Sequence, residues 1–369
     1  MTTQKKIKTL RLETAYLETG TTSGDLLVLV HGNVSSSEFF RPLMAKLPQN
    51  FHIVAPDMRG FGNSETLPVN ATRGVRDFSD DLYAFLQHLI KPDKKVHLVG
   101  WSAGASVIMQ YVMDYPRTVH SLTLQAPMSP FGFGGTKNTG IKMEPCSDDF
   151  AGSGGGTASL PFVDCLRTRD GELVSTQPAG AQCNVQSHAR ATMNNFYFKV
   201  LDGKTLLQRG IITKEMEDAF TESMYSTKLG DDHYPGNVLA STNWPFVAPG
   251  DKGMNNAIAP KYCDLSNFAN VTAKIPVLWL RGADDQIVSD TSLLELNYLG
   301  SLGYVPGWPG AATHPPQPMV TQTRAVLDAY KQNGGNYQEV VFKDCGHSPH
   351  IEYEGEFIKT INTFIAQIN

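Results

Sequence analysis

One short segment restricts the fold of this chain more than any other, and its sequence is Gly100-Trp101-Ser102-Ala103-Gly104. An apolar run, residues 96–99, leads into the segment, and a second, residues 106–109, follows it. This order predicts a buried strand, a sharp turn and a helix, with Ser102 at the turn. Small residues on both sides of a serine let the backbone bend tightly and leave the hydroxyl group exposed. The segment therefore predicts a nucleophile at the carboxyl end of a strand.

The first 128 residues alternate between strand-like and helix-like patterns. Residues 26–30 and 51–55 are continuous apolar runs, which are typical of strands buried on both faces of a parallel sheet. Between them, the segment 35–38 resembles a helix start with a capping serine. After the second run, residues 73–90 place apolar side chains along one face of a predicted helix. We call the helix predicted directly after Ser102 the elbow helix, and the run at 119–124 predicts the strand that follows it. The alternation predicts a doubly wound α/β fold with a mostly parallel sheet.

The regular alternation stops after Pro127, and this change predicts a second structural unit. We expect a core made of residues 1–128 and 269–369, with residues 129–268 inserted as a cap. The insertion is rich in glycine and aromatic residues, including a glycine run that we expect to be flexible. The remaining predictions are helices near 194–202 and 214–225, strands at 275–280 and 339–342, and a terminal helix at 353–368.

Composition excludes several classes of function. The net charge of −5 and the isoelectric point near 6.1 leave no basic surface for nucleic acid or an anionic membrane. No run of 18 apolar residues occurs, and the first 20 residues lack the apolar core of a signal peptide, so we expect a cytoplasmic protein. The five cysteines contain no C-x-x-C pair. The sequence leaves open whether one disulfide joins two of Cys146, Cys165 and Cys183.

A serine nucleophile needs a general base, and His347 is the preferred candidate among ten histidines. It follows the last predicted strand, where a loop can bring the imidazole to Ser102. His350, three residues further on, is expected to pack or cap at the start of the terminal helix. His31 is expected to support the loop beneath the site rather than to transfer protons.

The base needs an acid that orients it, and the chain order of serine, acid and histidine places this acid between Ser102 and His347. Asp284 and Asp285 follow the strand predicted at 275–280, so one of them reaches the same edge of the sheet. We prefer Asp285, which precedes the turn into Ile287, although the sequence leaves Asp284 open.

The oxyanion that forms on a carbonyl needs backbone N–H donors. Ala103 is expected to supply one, because its N–H begins the elbow helix, where the helix dipole adds positive charge. The second is expected from the loop after His31-Gly32, from Asn33 with Val34 as the substitute.

These segments together resemble the α/β-hydrolase superfamily. The segments that carry the resemblance are 31–33, 57–64, 100–104, 282–288 and 346–348. The resemblance implies that Asp57 belongs to a structural turn beside the site. The His-Gly-Asn start is also similar to haloalkane dehalogenases and epoxide hydrolases, but those relatives use an aspartate nucleophile, and Ser102 argues against both chemistries.

The predicted substrate-binding residues are Val34, Trp101, Trp244, Phe246 and Trp308. Val34 and Trp101 adjoin the predicted oxyanion loop and nucleophile, Trp244 and Phe246 lie in the cap, and Trp308 lies in a proline-rich segment between acid and base. Further cap aromatics that are candidates to line a pocket are Phe131, Phe133, Phe196, Tyr197, Phe198 and Tyr225.

The primary prediction is a serine hydrolase that cleaves carboxylic esters or lactones of a medium-to-large apolar substrate through an acyl-enzyme. The alternatives are a ligand receptor on the same fold, a carbon–carbon bond hydrolase and an acyltransferase. The only predicted partner is the small-molecule substrate. No cofactor is expected, and no metal site either, because no H-E-x-x-H motif or cysteine cluster is present. The sequence leaves the oligomeric state open.

Overall fold

The computed structural model describes residues 2–170 and 183–368. Within these residues the strands are β1 (Thr3–Lys8), β2 (Glu13–Gly20), β3 (Leu26–Val30), β4 (His52–Pro56), β5 (Val96–Trp101), β6 (Ser121–Gln125), β7 (Leu229–Gly230), β8 (Tyr234–Pro235), β9 (Val238–Ala240), β10 (Val247–Pro249), β11 (Val277–Gly282) and β12 (Tyr337–Phe342). The α-helices are α1 (Arg41–Lys46), α2 (Arg76–Leu86), α3 (Ala103–Asp114), α4 (Leu160–Thr168), α5 (Ala189–Thr192), α6 (Lys214–Tyr225), α7 (Met254–Ala257), α8 (Leu296–Ser301), α9 (Met319–Gln332), α10 (Pro349–Glu352) and α11 (Glu354–Ile368).

In the described chain, eight strands form one sheet in the order β1-β2-β4-β3-β5-β6-β11-β12. Within this sheet, neighbouring strands pair in parallel along the order β4-β3-β5-β6-β11-β12. At the other edge, β2 pairs antiparallel with β4, and β1 pairs antiparallel with β2. Helix α3 contacts α2 and the centre of the sheet, whereas α1 contacts α10 and α11. The predicted doubly wound α/β fold is confirmed, and its parallel strands bring their carboxyl ends to one edge.

The sequence patterns do not predict the N-terminal strands β1 and β2. The side chains of β1 are mostly exposed lysine and other polar groups, so its segment has no apolar alternation. Strand β2 is buried although it carries Glu18, which is accommodated because it pairs with Lys5 and with His52 Nε2 at 2.8 Å. Polar residues that are neutralised by partners distant in sequence give no local signal.

The segment between β6 and β11 contains α4 to α7 and the short strands β7 to β10. Its two ends meet, because Leu265 N donates to Pro130 O at 2.7 Å and Phe133 N donates to Ile258 O at 2.8 Å. Helix α6 has the predicted bounds. The helix expected near 194–202 instead occupies 189–197 and consists of α5 followed by one π-helical turn, Met193–Tyr197. It ends there because the backbone at Phe198 is extended and Lys199 N donates to the Glu352 carboxylate.

The glycine run at 152–156 was expected to be flexible, but in the structure it packs against neighbouring backbone. Gly154 has φ +79°, and a Cβ atom on it would lie 2.4 Å from Asn256 Oδ1. A Cβ on Gly155 would lie 2.7 Å from Gly236 O, and Gly155 N donates to Asn256 Oδ1 at 2.8 Å. Glycine is required here because two pieces of backbone approach closely.

One disulfide joins two parts of the insertion. It links Cys165 in α4 to Cys183, and Cys146 is a free thiol, so the structure decides which pair within the three candidates is bonded. A disulfide is typical of proteins from oxidising compartments. The cytoplasmic location therefore stays a prediction.

Candidate active site

The strand-to-helix turn has the geometry expected of a nucleophile elbow. Ser102 lies between β5 and α3, half-buried, with φ +57° and ψ −122°. A Cβ on Gly104 would lie 2.3 Å from His31 O, and one on Gly100 would lie 2.5 Å from Gly104 O. Larger residues would separate α3 from the sheet, so the two glycines permit the strained serine conformation.

His347 and Asp285 form a buried pair beside this turn. His347 Nδ1 lies 2.7 Å from Asp285 Oδ2, and both side chains are only 2% exposed. The other carboxylate oxygen of Asp285 accepts from the N–H groups of Ile287 and Val288 at 2.8 and 2.9 Å. These bonds hold the carboxylate so that it can orient the imidazole and favour the Nδ1–H tautomer.

Asp284 lies on the surface and contacts a different partner. Its Oδ1 is 3.5 Å from Lys199 Nζ, and its side chain is 37% exposed. Of the two acidic candidates, the structure brings only Asp285 to His347.

The loop that carries His347 is held by two buried side chains. Glu352 accepts hydrogen bonds from the N–H groups of Gly346 at 3.0 Å and Ser348 at 3.2 Å, one on each side of His347. Trp101 Nε1 donates to the carbonyl oxygen of His347 at 2.9 Å. The backbone that carries the imidazole is therefore held in place by Trp101 of the elbow and by Glu352 of α10.

Two other histidines are buried and structural. Burial lowers the pKa of His350 to about 3, with a further contribution from His347, and Gln125 Nε2 contacts its Nδ1. Burial lowers the pKa of His31 to about 4; its Nε2 accepts from Met58 N at 2.9 Å, so its Nδ1 donates to Gly32 O at 2.8 Å. Both imidazoles are neutral near pH 7, and His31 fixes the loop after β3.

Asp57 braces the neighbouring turns, as the resemblance implies. Its carboxylate accepts from Ser37 N at 2.8 Å and from Asn63 N at 2.9 Å. A Cβ on Gly62 would lie 2.2 Å from Asp57 Oδ2. The carboxylate is therefore enclosed by backbone.

The loop after β3 lies directly against Ser102. A Cβ on Gly32 would be 3.0 Å from the Cβ of Ser102 and 3.6 Å from its Oγ. The N–H of Val34 donates to Asn33 Oδ1 at 3.0 Å, so Val34 is already engaged. Ala103 is the first residue of α3, where backbone N–H groups have no partner within the helix.

A cavity of about 420 Å³ opens above Ser102. Ser102, His347, Gly32, Asn33 and Ala103 lie in its lining. Its aromatic and aliphatic walls are formed by Val34, Trp101, Met128, Phe133, Phe162, Phe196, Tyr197, Tyr234, Ile258, Ile287, Leu293, Leu294, Leu296 and Leu299. Among the described residues, no aspartate, glutamate, lysine or arginine lines the cavity.

Trp244, Phe246 and Trp308 lie outside the described lining of this cavity, in contrast to the expectation that they contact substrate. Trp244 and Trp308 pack against Gly300 of α8, whose Leu296 and Leu299 line the cavity, so the two indoles form a layer behind its wall. Their Nε1 atoms donate to the carbonyl oxygens of Pro306 and His314. Phe246 is 62% exposed at the surface.

The other cap aromatics divide between cavity and core. Phe133, Phe196 and Tyr197 line the cavity, whereas Phe131 and Phe198 are fully buried outside its lining. No local sequence pattern marks Phe162 and Asn255, which line the cavity, or Glu352, which holds the loop of His347. Their importance comes from what the fold places beside them.

Residues 2–170 and 183–368 contain one cluster of potential metal ligands. The one group of histidine, cysteine and carboxylate atoms close enough to share a metal ion is Cys165, Cys183 and His188, and its two sulfurs are bonded to each other. No described helix combines the length and apolar character needed to cross a membrane.

Known proteins that are similar to this chain in sequence include two bacterial proteins, each of which matches only part of it. The magnesium-chelatase 30 kDa subunit of Rhodobacter capsulatus is 31% identical over 100 residues, which cover 27% of this chain and 34% of that protein. Lipase 3 of Moraxella sp. (strain TA144) is 31% identical over 113 residues, which cover 30% of this chain and 34% of that protein. The matches thus span about a third of the length of these curated relatives.

A solved structure and a family model cover far more of the chain. The crystal structure of an esterase from Rhodococcus sp. ECU1013 superposes with a TM-score of 0.58, over 99% of both chains at 17% identity. That identity shows a shared fold. A family model described as alpha/beta hydrolase fold matches residues 25–309, more than half of the 369 residues. The chain belongs to the alpha/beta hydrolase fold family.

Proposed function

We propose that the protein is a serine hydrolase that cleaves carboxylic esters or lactones of an uncharged, apolar substrate. Ser102 is the nucleophile, His347 the general base and Asp285 the acid that orients it. The observation that carries the proposal is the buried 2.7 Å contact between His347 Nδ1 and Asp285 Oδ2, because His347 lines the same cavity as Ser102. Such an arrangement lets the carbonyl carbon of a bound substrate lie within reach of both the nucleophile and the base.

In the first half of the reaction, His347 Nε2 takes the proton of the Ser102 hydroxyl as its oxygen attacks the carbonyl carbon. The tetrahedral intermediate collapses, the acyl–oxygen bond breaks, and the imidazolium gives its proton to the departing alcohol. The negative charge of Asp285 stabilises the imidazolium that exists between these two proton transfers. The products of this half are an acyl-enzyme on Ser102 and a free alcohol.

In the second half, His347 removes a proton from water, which attacks the acyl-enzyme carbonyl. Collapse of the second tetrahedral intermediate returns the proton to Ser102 Oγ and releases the carboxylic acid. In a lactone the alcohol and the acid are parts of one product, so the same steps open the ring.

The oxyanion of both intermediates is assigned to the N–H groups of Ala103 and Asn33. Ala103 begins the 12-residue helix α3, whose dipole adds positive charge at that point. Asn33 is preferred over Val34 because the Val34 N–H is bonded to Asn33 Oδ1. Each donor of this kind is typically worth roughly 3 kcal/mol in the barrier.

The substrate preference is assigned to the insertion, with residues 129–268 as the cap of a core formed by 1–128 and 269–369. Phe133, Phe162 and Phe196 come from this segment, and the described lining carries no charged side chain other than the candidate base. A mostly apolar cavity of about 420 Å³, whose described lining has no acidic or basic side chain other than His347, favours a neutral acyl or ring group, because burying a charge there would be costly.

Turnover of p-nitrophenyl butyrate by the Ser102→Ala variant tests the proposal. We expect loss of activity to the background rate, with unchanged thermal stability. Ser106→Ala is the matched control in α3, the helix that follows Ser102: Ser106 is buried and its hydroxyl contacts no polar partner among the described residues. Undiminished turnover by Ser102→Ala would contradict the nucleophile assignment. Saturable ligand binding without any turnover by the parent would favour the receptor function instead.

A further inference from the structure

The loop at Asn33 is held from below by the core. The carbonyl oxygen of Gly32 accepts hydrogen bonds from His31 Nδ1 at 2.8 Å and Ser35 Oγ at 2.9 Å. In a trans peptide the N–H points opposite to the carbonyl group, so these bonds direct the Asn33 N–H away from His31 and Ser35. The core thus orients the first of the two peptide groups that flank Asn33.

The second peptide group is held by the insertion. The single hydroxyl proton of Tyr197 is shared between the carbonyl oxygens of Asn33 and Val34, which lie 3.1 and 3.2 Å from Tyr197 Oη. Asn33 Nδ2 donates to Asn255 Oδ1 at 3.0 Å, while Asn33 Oδ1 accepts from the N–H of Val34. Both contacts from the insertion therefore converge on the same two residues of the loop.

The backbone of this loop needs such support. Val34 has φ +47°, a left-handed conformation that β-branched residues rarely adopt. Residues held in this region persist only when their surroundings supply compensating contacts. The bonds to Tyr197 and to the Asn33 carboxamide are the compensating contacts at Val34.

We propose that Tyr197 and Asn255 are positioning residues that complete the oxyanion hole, so that the insertion controls the acyl-transfer step as well as substrate binding. The inference rests on the proposed function, because it assumes that the Asn33 N–H stabilises the oxyanion. Without the two side chains, the Asn33–Val34 peptide is free to rotate. This rotation displaces the Cα atom of Asn33 and, through Val34, the Ser35 hydroxyl that holds the Gly32–Asn33 peptide, so the Asn33 N–H loses its alignment.

The packing of Tyr197 suits a fixed support. Its side chain is 7% exposed, and its ring lies 5.7 Å from the ring of Trp101 and 6.0 Å from that of Phe39, between centroids. Burial raises the pKa of Tyr197, so its hydroxyl stays protonated and keeps donating across the accessible pH range. The ring thus carries a permanent donor to the loop.

The Tyr197→Phe variant tests the proposal, because it removes one hydroxyl and keeps the ring. We expect kcat for p-nitrophenyl butyrate to fall about ten- to hundredfold with KM changed less than threefold, as expected when a group needed only in the transition state is misplaced. Binding of a trifluoromethyl ketone, which forms a tetrahedral oxyanion adduct on serine, should weaken by the same factor as kcat/KM. A product carboxylic acid should inhibit as before.

Asn255→Ala is the second variant, and Tyr262→Phe, a hydroxyl deletion in the insertion outside the cavity lining, is the control. Asn255→Ala should lower kcat in the same direction, and Tyr262→Phe should leave both constants unchanged. Parental kcat in both Tyr197→Phe and Asn255→Ala would overturn the inference while leaving the proposed function intact.

A crystal structure of Tyr197→Phe separates this inference from the proposed function. We expect the Asn33–Val34 peptide to adopt a different orientation or several orientations. An unchanged, well-ordered peptide would overturn the inference even if the parent hydrolysed no ester. Absence of Ser102-dependent ester turnover in the parent, together with a displaced peptide in the variant, would instead contradict the proposed function alone.

Discussion

The indole Nε1 of Trp101 donates a hydrogen bond of 2.9 Å to the backbone carbonyl oxygen of His347. The residue directly before the candidate nucleophile therefore holds the loop of the candidate base, across 246 residues of sequence. Their rings also lie 5.7 Å apart between centroids. The hydrogen bond of Trp101 thus ties the position of the His347 loop to that of the elbow.

Trp101→Phe should lower kcat/KM for a short-chain ester about tenfold, because the His347 carbonyl loses a buried donor and the imidazole loses its fixed position. Trp279→Phe is the matched control. Trp279 is equally buried, and its Nε1 has no hydrogen-bond partner among the described residues. Steady-state kinetics and melting temperatures of both variants check the prediction. Equal losses of activity would mean that only packing matters.

Asp285→Asn should reduce kcat roughly 10⁴-fold, the loss typical of a serine-protease triad whose acid becomes an amide and no longer favours the correct imidazole tautomer. Asp284→Asn should keep kcat within about twofold of the parent value. The side chain of Asp284 is 37% exposed and pairs with Lys199, and exposed ion pairs of this kind contribute little. The comparison is made with one ester at saturating concentration. The reverse order of the two variants would transfer the acid role to Asp284.

Protonation of Glu295 should affect stability. Burial raises the pKa of this side chain to about 7, although backbone N–H groups such as that of Tyr298 face it. The folded protein therefore keeps the proton after the unfolded chain has lost it, and the free energy of unfolding falls as pH rises from about 4.5 to about 7. The loss is up to about 3 kcal/mol and is complete above that window.

Urea denaturation of the parent and Glu295→Gln at several pH values measures this effect. The difference in unfolding free energy between the two proteins should change across the window and be constant above it. Glu356→Gln, at an exposed position on α11, is the surface control and should show a constant difference from the parent. A constant difference for Glu295→Gln as well would contradict the prediction.

The disulfide between Cys165 and Cys183 should stabilise the fold. It closes a loop with a sequence separation of 18, for which the loss of entropy in the unfolded chain corresponds to about 3 kcal/mol. The double variant Cys165→Ser/Cys183→Ser should therefore unfold at a lower urea concentration than the parent. Alkylation in denaturant should count three thiols before reduction and five after it, and five thiols before reduction would show that the bond is absent.

Phe196→Ala should shift substrate preference toward bulkier acyl groups, because it enlarges the wall of the cavity. Phe246→Ala is the control, since Phe246 is 62% exposed and outside the described lining. A series of p-nitrophenyl esters of increasing chain length gives the ratio of kcat/KM values for each variant. An equal shift in both would place Phe246 at the substrate as well.

Local sequence patterns predict much of the core. Continuous apolar runs mark β3 and β4 because strands buried on both faces need no polar alternation. Small residues around Ser102 mark the elbow because backbone approaches within 2.3 Å of a Cβ position at Gly104. The amphipathic spacing of α6 gives its bounds, Lys214–Tyr225. Each of these signals lies within a few residues of the feature it predicts.

The cavity wall lacks such signals. Trp244 and Phe196 are both aromatic residues of the insertion, and nothing beside them in sequence separates a residue behind the wall from one that lines it. Glu352 and Tyr197 act on backbone groups of loops that are distant in the chain, such as Asn33 and Gly346. Only the folded chain brings those donors and acceptors together.

The sequence by itself therefore determined the α/β hydrolase fold and the candidates Ser102 and His347, because strand-to-helix turns and buried strands depend on short-range sterics and hydrophobic burial. The tertiary structure decided that Asp285 rather than Asp284 contacts His347, that Val34 is engaged by Asn33, and which aromatic residues line the cavity. These outcomes depend on which side of a loop or helix faces a distant part of the chain, and that is set by packing between elements.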